Sequence, residues 1–539
     1  MNLVDPGAGE RFLFPIAPHA QMVGAEELGF KAHNLLRMAR RDLAVPEAFV
    51  LGTCACKAHF ADREGMRANL GPLLREGLAG IERTSGLGFG SARRPLLVSV
   101  RSGASISMPG MMDTLLDVGL CDTTLRGLLR LTGNPRLAWD SYRRLVQSFA
   151  EVVHGADAAP FRERLEQRIN EEQLTSAREL DYRALSELAR DYLSLYADLV
   201  GKAFPQDPFE QLETAVDAVF DSWRGARACE YRHLHGISDD LGTAVTVQRM
   251  VFGNAGGTSG SGVAFTRDPT TGENRAYVDF LFNSQGEDLV SGRSAGGDAD
   301  RLARLLPEVS ARLAQTRHAL EQEFRDAQEI EFTVQDGRLY MLQTRTAKRT
   351  AWAALRIAVE QVREELITPA DALARLAGVD LASIQRARFA NLDGLQPLGR
   401  GIPAGLGVAA GRLALDAAAV EEFVRSGRAA ILVREDMSTE DIAAIEAAQG
   451  VLTARGSRTA HAAVVARQLG KPCVVGLATL AIQTAARTAR FGDALLREGD
   501  ELCLDAETGD VFAGRPQLAA ERPDDLLAEL ALWRTPAAA

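Results

Sequence analysis

The sequence predicts a multidomain protein of mixed α/β class. Its 539 residues exceed one ordinary domain and predict three or four. Apolar residues make up 46% of the chain and charged residues 25%, which is typical of a globular protein with a sizeable core. Strand-like and helix-like stretches follow one another along the chain without an internal repeat. These observations together favour several compact α/β units over one large fold.

The first 350 residues predict one domain with a helical insertion. Residues 1–100 alternate apolar runs with Gly and Pro and end in a strand-like segment at 95–100. From about 112 to 220 the apolar spacing is helical. Strand signals then return, and a long helix is expected over about 298–324. A hairpin follows around Gln335-Asp336-Gly337, and its arms are 329–334 and 338–343.

The remaining sequence predicts a linker, a second compact domain and a tail. Apolar residues at helical spacing run from 352 to about 377, so residues 351–393 are expected to form a helical linker. A Gly-rich segment begins at Gly394 and opens a compact β/α domain over 394–514. Residues 515–539 are expected to form a short, frayed tail.

Charge and cysteine content exclude several functional classes. The net charge is −11 and no Lys/Arg-rich run occurs, which argues against a nucleic-acid partner. The six cysteines are scattered, which favours free thiols in a reducing compartment. The first eleven residues lack the apolar core of a signal peptide, and the uncharged run 250–266 is too rich in Gly, Ser and Thr to span a membrane. A cytoplasmic protein without a membrane partner is expected.

A glycine-rich segment at 252–262 is a candidate phosphate-binding loop. It holds five glycines among eleven residues, between two strand signals. Glycines let backbone N–H groups approach phosphate oxygens, and the Thr and Ser hydroxyls add donors. It is not a Walker loop, because neither Gly-Lys pair of the chain is followed by Ser or Thr. By itself such a loop is more often a hairpin turn than a phosphate-binding loop.

The most informative residue is His461, at the start of a helix-forming run of small residues. Thr459 is expected to be the N-cap, and 462–469 has the composition and apolar stripe of a helix. A phosphoryl group at this point would be stabilised by the helix dipole and by unsatisfied backbone N–H groups. A histidine that only caps or packs is the alternative for an isolated residue.

Several long motifs resemble the pyruvate phosphate dikinase and phosphoenolpyruvate synthase family, in the family's order and spacing over about 20–515. Besides the run around His461, these motifs are Val98-Ser99-Val100-Arg101-Ser102-Gly103, Ser107-Met108-Pro109-Gly110-Met111-Met112-Asp113-Thr114, Asp140-Ser141-Tyr142-Arg143-Arg144, Gly262-Val263-Ala264-Phe265-Thr266-Arg267, Glu331-Phe332-Thr333, Met341-Leu342-Gln343-Thr344-Arg345 and Leu432-Val433-Arg434-Glu435-Asp436-Met437. The resemblance implies an ATP-grasp nucleotide-binding domain over 1–350 and a swivelling phosphohistidine domain over 394–514.

The resemblance also implies roles for individual residues. His461 is expected to carry the phosphoryl group. Lys31 and Arg101 match contacts to the ATP phosphates, and Gln343 and Arg345 match adenosine and phosphate contacts. Glu329 and Glu331 match a Mg²⁺ site, with Glu331 also counted among the nucleotide contacts. The positions associated with the transferred phosphoryl group and inorganic phosphate are Arg144, Ser261, Gly262 and Glu287. The local pattern departs from the family's at Gly29-Phe30-Lys31-Ala32, Gly257, Ser261, Glu329 and Ala460.

Three functions remain open at this point. The first is ATP-dependent autophosphorylation of His461, in which ATP and inorganic phosphate yield AMP and pyrophosphate. The second is a synthase-like or small-molecule phosphotransferase with another acceptor. The third is a non-catalytic nucleotide-binding remnant, against which the retained Lys31, Arg101, Glu331, Arg345 and His461 argue.

The acceptor cannot be read from the sequence. In the family a C-terminal barrel binds pyruvate and phosphoenolpyruvate, and the residues after 514 are too few to build one. A separate barrel protein is therefore expected as partner, and the chain alone is expected to catalyse only the ATP half-reaction. A homodimer is compatible with the resemblance. Thr459 matches a threonine that is regulated by phosphorylation in some relatives, although helix capping is sufficient to explain it.

Overall fold

The computed structural model describes residues 11–106, 108, 114–286, 299–391, 396–437, 441–458 and 460–534. They form two compact units. The first unit contains the described residues up to Ala255 together with Tyr340–Gln343. The second contains those from Gly256 to Leu339 and from Thr344 onward.

The first unit is built on an antiparallel sheet of five strands. In sheet order these strands are β1 (Leu13–Ile16), β2 (Ala48–Leu51), β7 (Thr243–Arg249), β5 (Val98–Ala104) and β6 (Thr114–Val118). A short parallel pair, β3 (Gly88–Phe89) and β4 (Pro95–Leu96), precedes β5. Strand β5 is almost entirely buried, as a central strand should be.

Nine helices belong to this unit among its described residues. They are α1 (Ala25–Arg40), α2 (Thr53–Ala61), α3 (Arg63–Ser85), α4 (Asp122–Thr132), α5 (Pro135–His154), α6 (Ala159–Glu171), α7 (Tyr182–Val200), α8 (Pro208–Ser222) and α9 (Ala226–His235). Five of them, α4 to α8, lie in or at the end of the region predicted to be helical, about 112–220. Local signals explain several ends: α5 has Pro135 in its first turn, the Asn134 side chain as cap and a left-handed Gly155 at its C-terminal end. One continuous core joins sheet and helices.

The second unit begins with a four-stranded antiparallel sheet. Its order is β11 (Arg338–Thr346), β10 (Gln328–Gln335), β8 (Gly260–Phe265) and β9 (Tyr277–Phe282). Asp336 and Gly337 both have positive φ, as a tight hairpin turn requires, so the predicted hairpin forms. The long helix expected over 298–324 is instead two helices, α10 (Ala299–Leu305) and α11 (Pro307–Phe324), because a proline favours the start of a helix over its interior.

Two helices follow in the predicted linker, α12 (Ala351–Arg363) and α13 (Pro369–Arg375). They share a small apolar core with α17 (Asp524–Arg534), in which Leu526 and Leu530 are buried. Strand β24 (Leu518–Glu521) pairs antiparallel with β12 (Arg386–Phe389). Much of the segment expected as a frayed tail therefore has regular structure, since its apolar residues find a partner surface that lies far away in sequence.

An eight-stranded mixed sheet forms the rest of the second unit. Its order is β13 (Pro397–Arg400), β23 (Asp510–Ala513), β22 (Glu501–Asp505), β15 (Val408–Ala414), β16 (Ala430–Arg434), β17 (Gly450–Thr453), β18 (Cys473–Val475) and β14 (Ile402–Pro403). Strands β15 to β18 are parallel and are connected by α14 (Ala417–Arg425), α15 (Ile442–Ala447) and α16 (His461–Gln468). A separate three-stranded sheet contains β19 (Leu480–Gln483), β20 (Thr488–Phe491) and β21 (Ala494–Arg497).

The predicted fold class, mixed α/β and multidomain, is confirmed, while the domain boundaries given above stay predictions. The six cysteines are all free, and four of them are buried, as expected; Cys54 is partly exposed and Cys229 exposed. Across the described ranges, no helix combines the length and hydropathy that crossing a membrane demands.

Candidate functional site

Lys31 is placed beside β5 by a break in helix α1. Gly29 lies inside α1 with φ 72° and ψ 155°, a backbone conformation that only glycine adopts readily. A Cβ atom at Gly29 would lie 1.9 Å from the carbonyl oxygen of Gly103 in β5. The Cβ of Lys31 is in turn 3.9 Å from the position a Cβ would take at Gly103. Two glycines thus let the Lys31 segment approach the strand closely.

Arg101 projects from the same face of β5 as Gly103, because alternate residues of a strand share a face. Its Nη2 donates to Oε1 of Gln343 at 3.0 Å, and its Nη1 donates to the Leu342 carbonyl oxygen at 3.4 Å. The first unit therefore brings together three of the predicted nucleotide contacts, Lys31, Arg101 and Gln343. Two cationic side chains and one amide are suited to a polyphosphate that carries a base.

Arg144 lies on α5 in a cluster with a buried carboxylate. Its Nε donates to Oδ2 of Asp140 at 3.0 Å, and Nη2 of Arg143 lies 2.6 Å from Oδ1 of the same residue. Burial alone would raise the pKa of Asp140, but the charges of Arg143, Arg144 and Arg136 outweigh it and lower that pKa to about 2. Asp140 is therefore a permanent anion that orients Arg144.

Ser261 and Gly262 lie inside β8 in the second unit. The Ser261 hydroxyl donates to the Ser284 carbonyl oxygen at 2.9 Å and lies 3.4 Å from Oγ1 of Thr333. A Cβ atom at Gly262 would lie 2.3 Å from the Phe332 ring. Both residues are buried. In this structure the Ser261 hydroxyl hydrogen-bonds to the backbone, and Gly262 leaves room for the Phe332 ring. The role in phosphate binding that the resemblance implies for them stays a prediction.

Glu329 and Glu331 occupy alternate positions of β10 and so share one face. Oε1 of Glu329 lies 2.5 Å from Nη2 of Arg345 on β11. Burial lowers the pKa of Arg345, but the hydrogen bond to Glu329 and the charges of both glutamates reverse this and raise it. The hairpin thus joins the three predicted residues Glu329, Glu331 and Arg345.

The two glutamates fit the prediction of a magnesium site. Mg²⁺ is usually held by one or two carboxylates together with phosphate oxygens and water, so a pair of carboxylates is sufficient on the protein side. Among the residues that the structure describes, no group of three His, Cys, Asp or Glu side chains could hold a metal ion by itself. A nucleotide would have to complete the site.

His461 is the first residue of α16, which follows the carboxyl end of the parallel strand β17. The residue at the N-cap is Ala460, with extended φ and ψ and no side-chain cap. Thr459, which the sequence analysis assigned as the cap, lies one residue earlier and outside the described residues, and Glu287 also lies outside them. The predicted helix forms, and the predicted phosphate carrier stands at its positive end.

Sequence reasoning gave no role to Arg458 and Arg467, which flank His461. Arg467 is only 3% exposed and donates from Nη2 to the Arg458 carbonyl oxygen at 3.0 Å. The guanidinium groups of Arg458 and Arg467 stack over the rings of Tyr277 and Phe265, respectively. The only signal in the sequence is the occurrence of arginines in a run of small apolar residues.

Comparison with known proteins is consistent with this geometry. Residues 66–297 match the family of the pyruvate phosphate dikinase AMP/ATP-binding domain. Residues 427–509, which include α16, match the mobile domain of PEP-utilising enzymes. The two matches fall on the parts of the chain that carry Arg101 and His461, respectively.

Curated relatives are similar in sequence to most of this chain. A pyruvate, phosphate dikinase of Rhizobium meliloti (strain 1021) is 42% identical over 519 residues, which are 93% of this chain and 57% of the relative. Chloroplastic enzymes of that name from Arabidopsis thaliana and Zea mays are 41% and 42% identical, over 91% and 92% of this chain and 51% and 52% of theirs.

The chain thus spans about half the length of the curated relatives it matches. Because those relatives are single longer chains, they do not support the expected separate barrel partner. The cytoplasmic location also stays a prediction. Residues 66–297 and 427–509 are thus similar to the AMP/ATP-binding domain of pyruvate phosphate dikinase and to the mobile domain of PEP-utilising enzymes, respectively.

Proposed function

We propose that the chain is an ATP-dependent phosphotransferase that phosphorylates its own His461. In the overall step, ATP, inorganic phosphate and His461 yield phosphohistidine, AMP and pyrophosphate. Four phosphorus atoms enter and four leave: one on His461, one in AMP and two in pyrophosphate. The observation that carries this proposal is the position of His461 at the N-terminus of α16, inside the match to the mobile domain.

The nucleotide contacts support the proposal through their charge and fixed geometry. Lys31 and Arg101 flank one face of β5, and Arg101 is already oriented by Gln343. We assign Lys31 and Arg101 to the polyphosphate, because two fixed cations neutralise charge that develops during phosphoryl transfer. Arg345, held by Glu329, is assigned to the phosphate end and Gln343 to the nucleoside.

Other residues are assigned to the metal and to the moving phosphoryl group. Glu329 and Glu331 would hold Mg²⁺, which supplies charge neutralisation to the nucleotide phosphates. Arg144 is assigned to the transferred group, because Asp140 fixes the direction of its guanidinium. Ser261, Gly262 and Glu287 complete the assignment by resemblance.

Phosphohistidine at a helix N-terminus is stabilised without a dedicated cation. The first turn of a helix has N–H groups that lack intrahelical partners, and the helix dipole adds a partial positive charge. The phosphoramidate is therefore held but stays reactive toward an acceptor. We propose pyruvate as that acceptor, because the relatives are pyruvate, phosphate dikinases. The product of delivery is then phosphoenolpyruvate.

The test is direct detection of phosphohistidine. The purified protein is incubated with Mg²⁺ and ATP, with and without inorganic phosphate, and digested for mass spectrometry under basic conditions. We expect an acid-labile, base-stable phosphoryl group on the peptide that contains His461, absent in His461→Ala. His318→Ala, which removes an exposed histidine of α11, should be labelled like the wild type. Absence of label on His461 under every condition would refute the proposal.

A second experiment tests the nucleotide half. Arg345→Ala removes the partner of Glu329, and Glu331→Ala removes one metal oxygen, so both should weaken ATP binding and slow labelling while the thermal transition is retained. ATP affinity unchanged in both variants would exclude the hairpin from the site. Label that forms equally fast without inorganic phosphate would indicate the synthase-like reaction.

A further inference from the structure

Two arginines join the His461 segment to the four-stranded sheet of the second unit, which lies far away in sequence. Arg458 lies three residues before His461, and its guanidinium carbon is 4.3 Å from the centroid of the Tyr277 ring. Arg467 lies six residues after it, 5.6 Å from the centroid of the Phe265 ring. Both rings belong to the four-stranded sheet that also carries Glu329 and Glu331.

The two rings form one platform. Phe265 of β8 and Tyr277 of β9 are direct cross-strand neighbours, and their rings meet edge to face with centroids 5.8 Å apart. Such pairs hold their geometry well, because the edge of one ring meets the face of the other. A single rigid aromatic pair therefore receives both arginines.

The arginines also fix each other. Nη2 of Arg467 donates to the Arg458 carbonyl oxygen at 3.0 Å, which ties the far end of α16 back to the loop before His461. The backbone on both sides of His461 is thus connected to the same platform. Loss of the contact between the arginines and the two rings would therefore allow the start of α16 to move.

The contact is held without an ion pair. Within the described part of the chain, neither Arg458 nor Arg467 has a carboxylate oxygen within 4.0 Å, and the Nε atom of each is buried without a hydrogen-bond partner. Oδ2 of Asp279 and the Tyr277 hydroxyl are buried in the same way. Burial lowers the pKa of Arg458 to about 10 and lowers that of Arg467, although the charge of Asp268 acts in the opposite direction on both and those of Glu329 and Asp279 do so on Arg467.

An incompletely compensated contact would suit the swivelling domain that the resemblance implies, because such a domain leaves its docked position. Stacking on the rings favours the docked position, while burial of two charges without carboxylate partners opposes it. When the segment leaves, both guanidinium groups regain water. The docked and released positions are thereby kept close in free energy, as reversible exchange between two sites requires.

We propose that Arg458 and Arg467 are positioning residues that dock the His461 segment on the Phe265–Tyr277 pair and so set the position in which His461 is loaded. This inference rests on the proposed function. It assigns no chemical step to the arginines, because neither needs to touch the nucleotide for the contact to matter.

Tyr277 offers a matched pair of variants. Tyr277→Phe keeps the ring and removes only a hydroxyl that has no hydrogen-bond partner, so it should label His461 at the wild-type rate. Tyr277→Leu removes the ring, and the loss of a desolvated stacking contact should slow labelling at saturating ATP about tenfold. ATP affinity, measured by calorimetry, should be unchanged in both. Wild-type labelling by Tyr277→Leu, or equal slowing by Tyr277→Phe, would overturn the proposal.

A double-mutant cycle then tests the pairing itself. Arg458→Met removes the cation and leaves Tyr277 and its strand β9 unchanged in sequence. If Arg458 acts through Tyr277, Arg458→Met combined with Tyr277→Leu should be within about twofold of the slower single variant, because the shared contact is lost only once. Arg455→Met is the control, since Arg455 is exposed and pairs with Glu435 at 2.8 Å; its effect should multiply independently with that of Tyr277→Leu.

The outcomes separate this inference from the proposed function. If the slowing of labelling by Arg458→Met and by Tyr277→Leu multiplies in the double variant, the pairing is refuted. Labelling of His461 in the wild type would still support the proposed function. If wild-type protein is never labelled, the proposed function itself fails, and the inference fails with it.

Discussion

Gly29 offers the sharpest test of how the fold positions the nucleotide contacts. Gly29→Ala adds one methyl group at a residue with φ 72° and ψ 155° inside α1. That region of backbone space is essentially restricted to glycine and costs other residues about 1–3 kcal/mol. The added Cβ would also lie 1.9 Å from the Gly103 carbonyl oxygen, which is a backbone atom and cannot rotate away. Forcing such a contact in a packed interior costs a further 1–3 kcal/mol or so.

The two costs together predict a loss of about 2–6 kcal/mol in the free energy of unfolding of the first unit. At roughly 2–4 °C per kcal/mol for a unit of this size, the midpoint of its calorimetric transition should fall by at least about 4 °C. Relief of the clash must move α1 away from β5, so Lys31 should also lose its position. ATP affinity should then fall about tenfold or more, as expected for loss of a charge-assisted contact.

Gly80→Ala is the matched control. Gly80 lies within α3, and a Cβ there would approach only the tip of the Arg83 side chain, at 3.9 Å. Alanine is the better helix former by up to about 1 kcal/mol, so the midpoint should stay or rise and ATP affinity should be unchanged. Lys31→Met provides the reference for complete loss of the lysine contact. A Gly29→Ala variant with wild-type midpoint and wild-type ATP affinity would refute the reasoning.

Two further predictions concern Asp140 and Gly262. Because the pKa of Asp140 is about 2 against an ordinary value of 3.8, its stabilising effect is complete above pH 4 or so and is lost as pH falls toward 2. Asp140→Asn should therefore lower the free energy of unfolding by about 2–3 kcal/mol at pH 7, with a difference from wild type that shrinks in acid; a constant difference from pH 7 to 2 would contradict this. Gly262→Ala should destabilise the second unit by about 1–3 kcal/mol, because its Cβ would lie 2.3 Å from the Phe332 ring. Gly257→Ala, with open space around it, should leave stability unchanged, and equal calorimetric midpoints for the two variants would argue against a packing role for Gly262.

Local sequence was sufficient for several of the helices, strands and turns. The apolar spacing around α7 and the Asp336-Gly337 turn depend on residues within a few positions of each other, so both could be predicted from the chain. The expected tail after 514 could not, because Leu526 and Leu530 become buried only against α12 and α13, which are remote in sequence. Pro307 could have been recognised as a helix start, because proline is favoured in the first turn. It divides the helix that was expected to be continuous.

The candidate site divides in the same way. The sequence predicted which residues would carry the chemistry: His461 from its place at a helix start and from the family motif around it, and Lys31, Glu329 and Glu331 from the resemblance to the family. Spacing by itself predicts only that Glu329 and Glu331 share one face of a strand and that His461 begins a helix, because strand and helix periodicity is local.

Only the tertiary structure decided what surrounds those residues. Arg101 meets Gln343, and Arg467 stacks on Phe265, across more than two hundred residues of chain in each case. The structure likewise directs the Ser261 hydroxyl to a backbone carbonyl in the sheet. Such contacts depend on which strands become neighbours and which buried polar atoms then find partners. That depends on the packing of the whole unit, because no residue type or spacing encodes a neighbour that lies hundreds of residues away.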